Sequence, residues 1–150
     1  MRISEDVQAL LNSAYQDAKQ RKHEYLTPEH VLFAALFFDI SREIIVSCGA
    51  DPEEIREEVE KYLENNIPVT KNKEPIQSIG FQEVIERAVI HTESSQKGEV
   101  DIGDIMVSIY DEENAFGSYY LKKAGISRLE LLKAVSHGPL SSQEKQIGRA

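Results

Sequence analysis

The apolar positions of residues 7–14 recur with the same spacing 74 positions later in this 150-residue chain. The first set is Val7, Leu10, Leu11 and Ala14, and the second set is Phe81, Val84, Ile85 and Ala88. A spacing of three, one and three residues places the members of each set on one face of an α-helix. The repeat therefore predicts two copies of one helical unit.

Helix boundary signals also occur in both copies. Thr27 followed by Pro28 combines an N-cap residue with a proline in the first helical turn, and Asp101 opens a helix 74 positions later. Gly49 and Gly125 are suited to the positions just after a helix end. The predicted helices of the first copy span about 4–21, 28–38, 41–48 and 51–65. Those of the second begin at about 81, 101, 115 and 128.

The predicted fold is all-α, with about eight helices forming two four-helix repeats. A unit of about 60 residues is marginally stable alone, so we expect the two repeats to pack together around a pseudo-two-fold axis. The predicted domain covers residues 1–138, with repeat one at 1–65, a linker at 66–79 and repeat two at 80–138. Residues 139–150 are predicted to form a flexible tail or linker.

Composition excludes several classes of protein. Asp and Glu number 26 against 17 Lys and Arg, a net charge of −9, which argues against binding to nucleic acid or to anionic lipid. The lone cysteine, Cys48, permits no intramolecular disulfide. No apolar run approaches the roughly 18 residues of a membrane span, and the first residues do not resemble a signal peptide. We therefore expect a soluble, cytoplasmic protein.

Motifs for catalysis or metal binding are missing from the sequence. It contains no G-x-x-x-x-G-K-[ST] phosphate loop and no G-x-S-x-G elbow. His23 and Glu24 begin like a zinc-protease motif, but the next histidine is His30, which is too far along the chain for H-E-x-x-H. The sequence predicts no catalytic residue, no metal site and no cofactor in this domain.

Three segments carry a family resemblance that covers residues 1–138. Residues 23–32 read H-E-Y-L-T-P-E-H-V-L and resemble the H-E-[aromatic]-x-T-x-E-H-[LV]-L signature that opens the first repeat of Clp N-terminal domains. The pattern F-Q-x-V-I-x-R-A over 81–88 is similar to the start of their second repeat. S-R-L at 127–129 and V-S-H-G at 135–138 resemble the end of the domain in the ClpA branch.

This resemblance implies a non-catalytic docking domain of a bacterial AAA+ unfoldase. Such a domain binds a ClpS-like adaptor and substrate polypeptides, while the ATPase modules of the parent hexamer use ATP and Mg²⁺ and pass substrates to ClpP. The adaptor surface is expected at Glu24, Glu29, Ser78, Gln82 and Glu83. Glu83 departs from the resemblance, because a basic residue is expected at its position.

Three alternatives stay open. A domain of the ClpC or ClpB type would bind unfolded segments directly in a groove between the repeats. Outside the family, the chain could be a small stand-alone enzyme or a four-helix regulatory protein.

Overall fold

The structure is a computed structural model that describes residues 2–71 and 73–137. The helices of this part are α1 (Glu5–Gln20), α2 (Pro28–Ala35), α3 (Asp39–Ser47), α4 (Pro52–Asn66), α5 (Ile79–Ser94), α6 (Ile102–Tyr110), α7 (Phe116–Lys123) and α8 (128–137). The predicted all-α class is confirmed. Gly138 and the predicted tail, 139–150, lie outside the described residues.

Four strands of two residues each were not predicted. They are β1 (Arg2–Ile3), β2 (Tyr25–Leu26), β3 (Ile76–Gln77) and β4 (Glu99–Val100). A strand of two residues is too short to give the alternating pattern from which strands are predicted. β3 also shows that the linker is ordered near its end, because it pairs with β2 of the first repeat.

The strand pairs reveal the relation between the repeats. β1 pairs with β4 and β2 pairs with β3, both in parallel. Arg2 lies opposite Glu99 and Tyr25 lies opposite Ile76. A shift of 74 positions takes β1 to β3 and β2 to β4. The pair β1–β4 in one place is therefore the counterpart of the pair β3–β2 in the other, as a two-fold axis requires. The predicted pseudo-two-fold arrangement is therefore present. β3 lies within the predicted linker but is the equivalent of β1, so we count it with the second repeat, and each strand pair then joins the two repeats.

Backbone hydrogen bonds around the strands obey the same relation. The N–H of Ser4 donates to the carbonyl of Val100 at 2.9 Å, and the N–H of Ser78 donates to the carbonyl of Leu26 at 3.0 Å. Ser4 caps α1 and Ser78 caps α5 through their side chains. The first helix of each repeat thus begins at a contact with the other repeat.

The core lies around α2 and α6, whose residues are all buried. These two helices are equivalent in the two repeats. The predicted apolar faces of α1 and α5 pack against this centre, with Val7 and Phe81 buried while Leu11 and Ile85 are only partly buried. Across residues 2–71 and 73–137, no helix has the length and apolarity needed to cross a membrane.

Candidate docking site

Two open clefts lie beside the first turns of α5. The first has a volume of about 350 Å³ and is lined by residues of both repeats. The lining consists of Thr27, Pro28, Glu29, Tyr62, Ser78, Ile79, Gly80, Glu83, Glu112, Asn114, Ala115 and Phe116. We call it the acidic cleft, because three carboxylates and no lysine or arginine line it.

The carboxylate of Glu29 connects the repeats beneath the acidic cleft. Glu29 lies at the start of α2 and is 4% exposed. Its Oε2 atom accepts a hydrogen bond of 2.9 Å from the N–H of Gly117 in α7. Burial raises the pKa of Glu29, while the hydrogen bond from Gly117 opposes that rise. Glu29 therefore fixes α7 against α2 and does not project into solvent.

Glu83 and Glu112 are the other two carboxylates that line this cleft. Glu112 is 4% exposed and accepts a hydrogen bond of 2.6 Å from Nη2 of Arg87. Arg87 also donates to the carbonyl of Ser108 at 2.8 Å, so its guanidinium is held in place beside Glu112. Hydrogen bonding to Glu112, followed by its negative charge, raises the pKa of the exposed Glu83. Within the described part of the chain, Glu83 makes no ion pair of its own.

Aromatic and aliphatic side chains form the other wall of the acidic cleft. The rings of Tyr62 in α4 and Phe116 in α7 have centroids 4.8 Å apart. Phe116 is 50% exposed and Ile79 is 75% exposed. Desolvation is the main cause that raises the pKa of Tyr62 to about 12, with a smaller contribution from Glu29. Apolar surface and negative charge thus face the same space.

The second cleft lies on the opposite side of α5 and has a volume of about 510 Å³. It is lined by Leu11, Asn12, Tyr15, Leu26, Gln77, Phe81, Gln82, Ile85 and Glu86. Leu11 and Ile85 occupy equivalent positions in the two repeats, so the cleft lies between their first helices. We call it the apolar groove, because aliphatic and aromatic side chains form most of its lining.

Comparison with known proteins identifies the family. The Clp repeat (R) N-terminal domain family matches residues 2–124. The chain belongs to this family. This confirms the interpretation of the motif at 23–32 and of the second repeat.

One curated relative of this Clp repeat domain agrees with that assignment. A ClpA homolog protein of Fuscovulum blasticum is 25% identical over 140 residues, which are 91% of this chain and 18% of that protein. The chain thus spans less than a fifth of the length of this relative.

Solved structures share the fold at lower sequence identity. The N-terminal domain of Hsp104 from Candida albicans has a TM-score of 0.80 and 18% identity, over 90% of this chain and 89% of that one. A ClpV N-domain in complex with a VipB peptide has a TM-score of 0.73 and 19% identity, over 92% and 89% of the two chains.

The five residues predicted for the adaptor surface of this Clp repeat domain occupy three places. The acidic cleft contains Glu29, Ser78 and Glu83, and the apolar groove contains Gln82. Glu24 lines neither cleft and lies just before β2, where its carbonyl accepts a hydrogen bond from Ile76 at 2.9 Å. Four of the five residues therefore surround the first turns of α5.

Sequence reasoning missed the apolar residues of the acidic cleft. No part in the adaptor surface was predicted for Tyr62, Ile79 or Phe116. Helical periodicity identifies Tyr62 as inward-facing, but it gives no sign that Phe116 of the other repeat lies beside it. Among the described residues, no group of three or more His, Cys, Asp or Glu side chains is arranged to hold a metal ion.

Proposed function

We propose that this Clp repeat domain docks a ClpS-like adaptor and substrate polypeptides for a ClpA-like unfoldase, without catalysis of its own. The main support is the grouping of Glu29, Ser78, Gln82 and Glu83 around two adjoining clefts. Exposed Ile79 and the wall of the acidic cleft offer apolar contact area beside these polar groups. The ClpV N-domain, which shares the fold, has been solved with a bound peptide.

The proposal extends to a longer parent protein. The matching ClpA homolog is more than five times as long as the matched region. In the parent, ATPase modules would bind ATP and Mg²⁺, form the hexamer and feed ClpP in the bacterial cytoplasm. The docking domain would supply these modules with cargo.

Charge reversal tests the adaptor surface. Calorimetric titration of the 150-residue chain with the ClpS-like adaptor would compare the unchanged chain with a Glu24→Lys, Glu83→Lys variant. We expect binding to weaken about tenfold, with a smaller effect at high salt, because interface charges steer association. Glu29 is left unchanged, because reversal of a buried carboxylate would disturb the fold.

A variant with the same change of charge on α4 provides the control. Glu54 and Glu57 are exposed on that helix and line neither cleft. Glu54→Lys, Glu57→Lys is expected to bind the adaptor as the unchanged chain does. Equal binding by all three proteins would reject the adaptor surface.

The apolar groove supports a second candidate function, which is direct binding of unfolded segments. Its side chains Leu11, Tyr15 and Ile85 are only partly covered by the rest of the domain. A photo-reactive amino acid in place of the exposed Asn12 would test this function. Cross-linking to an unfolded substrate without adaptor supports direct binding, and cross-linking only in the presence of adaptor contradicts it.

A further inference from the structure

The first turns of α5 form a ridge between the two clefts. Ile79 and Glu83 line the acidic cleft, while Gln82 and Glu86 line the apolar groove. At about 3.6 residues per turn, Glu83 of the acidic cleft and Ile85 of the apolar groove lie roughly 160° apart around α5 and mark the two sides of the ridge, with Gln82 and Glu86 between them. A helix with its side chains is about 10–12 Å wide. A partner segment that crosses α5 can therefore reach both clefts at once.

The two clefts differ in the side chains that they can accept. Lys and Arg are missing from the lining of the acidic cleft, where a hydrogen bond to Glu112 and the charge of Glu112 raise the pKa of Glu83, while the charge of nearby Arg87 partly opposes that rise. A cation placed there would relieve the repulsion between the two carboxylates. The neighbouring rings of Tyr62 and Phe116 could also contact that cation. The apolar groove, by contrast, favours an uncharged hydrocarbon side chain.

We propose that the docking site recognises an extended polypeptide segment with an apolar side chain and a lysine or arginine three or four residues apart. The apolar side chain occupies the apolar groove, and the basic side chain occupies the acidic cleft. The spacing follows from the width of the ridge, because an extended chain advances about 3.3 Å per residue. This inference rests on the proposed docking function and specifies the chemistry of the partner.

Glu83 is the residue that sets the preference for a basic partner. It is exposed, and Arg87 is already bound to Glu112 and to Ser108. An acidic side chain in the cleft would meet like charge with no lysine or arginine in the lining to compensate. Reversal of Glu83 should therefore reverse the preference.

Fluorescence anisotropy with labelled peptides tests the inference on the 150-residue chain. Each peptide carries one Leu and one Arg in a Gly/Ser background, separated by about one, three or eight residues. A matched series carries Glu in place of Arg. We expect the tightest binding at the spacing of about three, with about tenfold preference for Arg over Glu at low salt.

Variants of α5 test which cleft binds the apolar side chain of the peptide and which binds the basic one. Glu83→Lys should reverse the preference between Arg and Glu, whereas Glu93→Lys near the other end of α5 should leave it unchanged. Ile85→Ser should weaken binding of every peptide, whereas Ile90→Ser, at an exposed position outside both clefts, should not. Thermal melting verifies that each variant is folded.

Three results would overturn the inference: no binding by any peptide, affinity independent of spacing, or an Arg/Glu ratio unchanged by Glu83→Lys. The adaptor titration judges the docking function separately. Adaptor binding combined with equal affinity for Arg and Glu peptides rejects the inference and leaves the docking function standing. If the unchanged chain does not bind the adaptor, the docking function is rejected.

Discussion

The Nδ1 atom of His23 lies 2.8 Å from the Nε2 atom of His30, and both rings are buried. Residues 74 positions later occupy the same place in the second repeat. There the Nζ atom of Lys97 lies 2.9 Å from Oδ2 of Asp104. One repeat thus uses a histidine pair where the other uses an ion pair.

The hydrogen bonds of the histidine pair assign both rings as neutral. The N–H of Thr27 donates to Nδ1 of His30 at 3.0 Å. Nε2 of His30 must then carry the proton and donate it to Nδ1 of His23. A second proton on either ring would place two donors against each other. The geometry therefore favours the uncharged form of both histidines.

We predict that the domain loses stability when the pH falls below about 6.5. Burial lowers the pKa of His23, and burial followed by the charge of His23 lowers the pKa of His30 to about 3. Arg21 also lowers both values, while Asp17 partly opposes this at His23. The unfolded chain then binds more protons than the folded chain. His30 alone should reduce the free energy of unfolding by about 2 kcal/mol between pH 7 and pH 5, as measured by urea denaturation.

His30→Gln provides the control for this pH dependence. Glutamine at the third position of a helix can accept the hydrogen bond from the N-cap N–H, but it does not titrate. The variant should therefore show a flatter dependence of stability on pH. The raised pKa of Glu29 acts in the opposite direction and is present in both proteins. An unchanged slope in the variant would contradict the prediction.

We next predict that Gly103→Ala destabilises the domain. A Cβ atom at Gly103 would lie 2.7 Å from Cγ1 of Val135, which is below van der Waals contact. Valine is short and stiff, so α8 must shift, at a cost of about 1–3 kcal/mol in urea denaturation. Gly98→Ala is the matched control, because a Cβ there has no atom within 4 Å. Equal stability of Gly103→Ala and Gly98→Ala would contradict the predicted clash with Val135.

Local sequence signals predicted the helix ends best where a single residue determines the backbone conformation. Gly49 and Gly125 were predicted to follow helix ends, and both adopt the left-handed conformation, with φ of 80° and 89°. The end of α2 was predicted too late. The apolar Phe37 and Phe38 continue the helical pattern, but the helix ends at Ala35 and the chain turns. Phe37 is 62% exposed, so its apolar side chain extends the sequence pattern without belonging to a buried helical face. The predicted end of the helix was therefore too late.

The candidate site was predictable only in part, because its contacts join distant segments. Resemblance to the family pointed to Glu29, but its partner Gly117 is 88 residues away and contributes only a backbone N–H. A backbone donor has no sequence signature. The contact of Tyr62 with Phe116 likewise depends on how the repeats pack, which periodicity within each helix does not specify.

We predict that the repeats unfold together. The N–H groups of Ser4 and Ser78 donate to carbonyls of the opposite repeat, so either repeat can open only when both bonds break. Native-state hydrogen exchange by NMR should give both amides the free energy of global unfolding. The amides of the exposed residues Lys71, Lys73 and Glu74 should exchange faster. Exchange of Ser4 or Ser78 at a clearly lower free energy would indicate separate opening.

The final prediction separates the structural role of Glu29 from its charge. Because burial raises its pKa, ionisation of Glu29 opposes folding as the pH rises through its folded pKa. Glu29→Gln keeps an acceptor for the N–H of Gly117 and removes the buried charge, so stability at pH 7 should stay equal or increase. Glu29→Ala leaves that N–H without an acceptor and should cost about 1–3 kcal/mol in urea denaturation. Equal losses in both variants would show that the hydrogen bond to Gly117 does not stabilise the junction of α2 and α7.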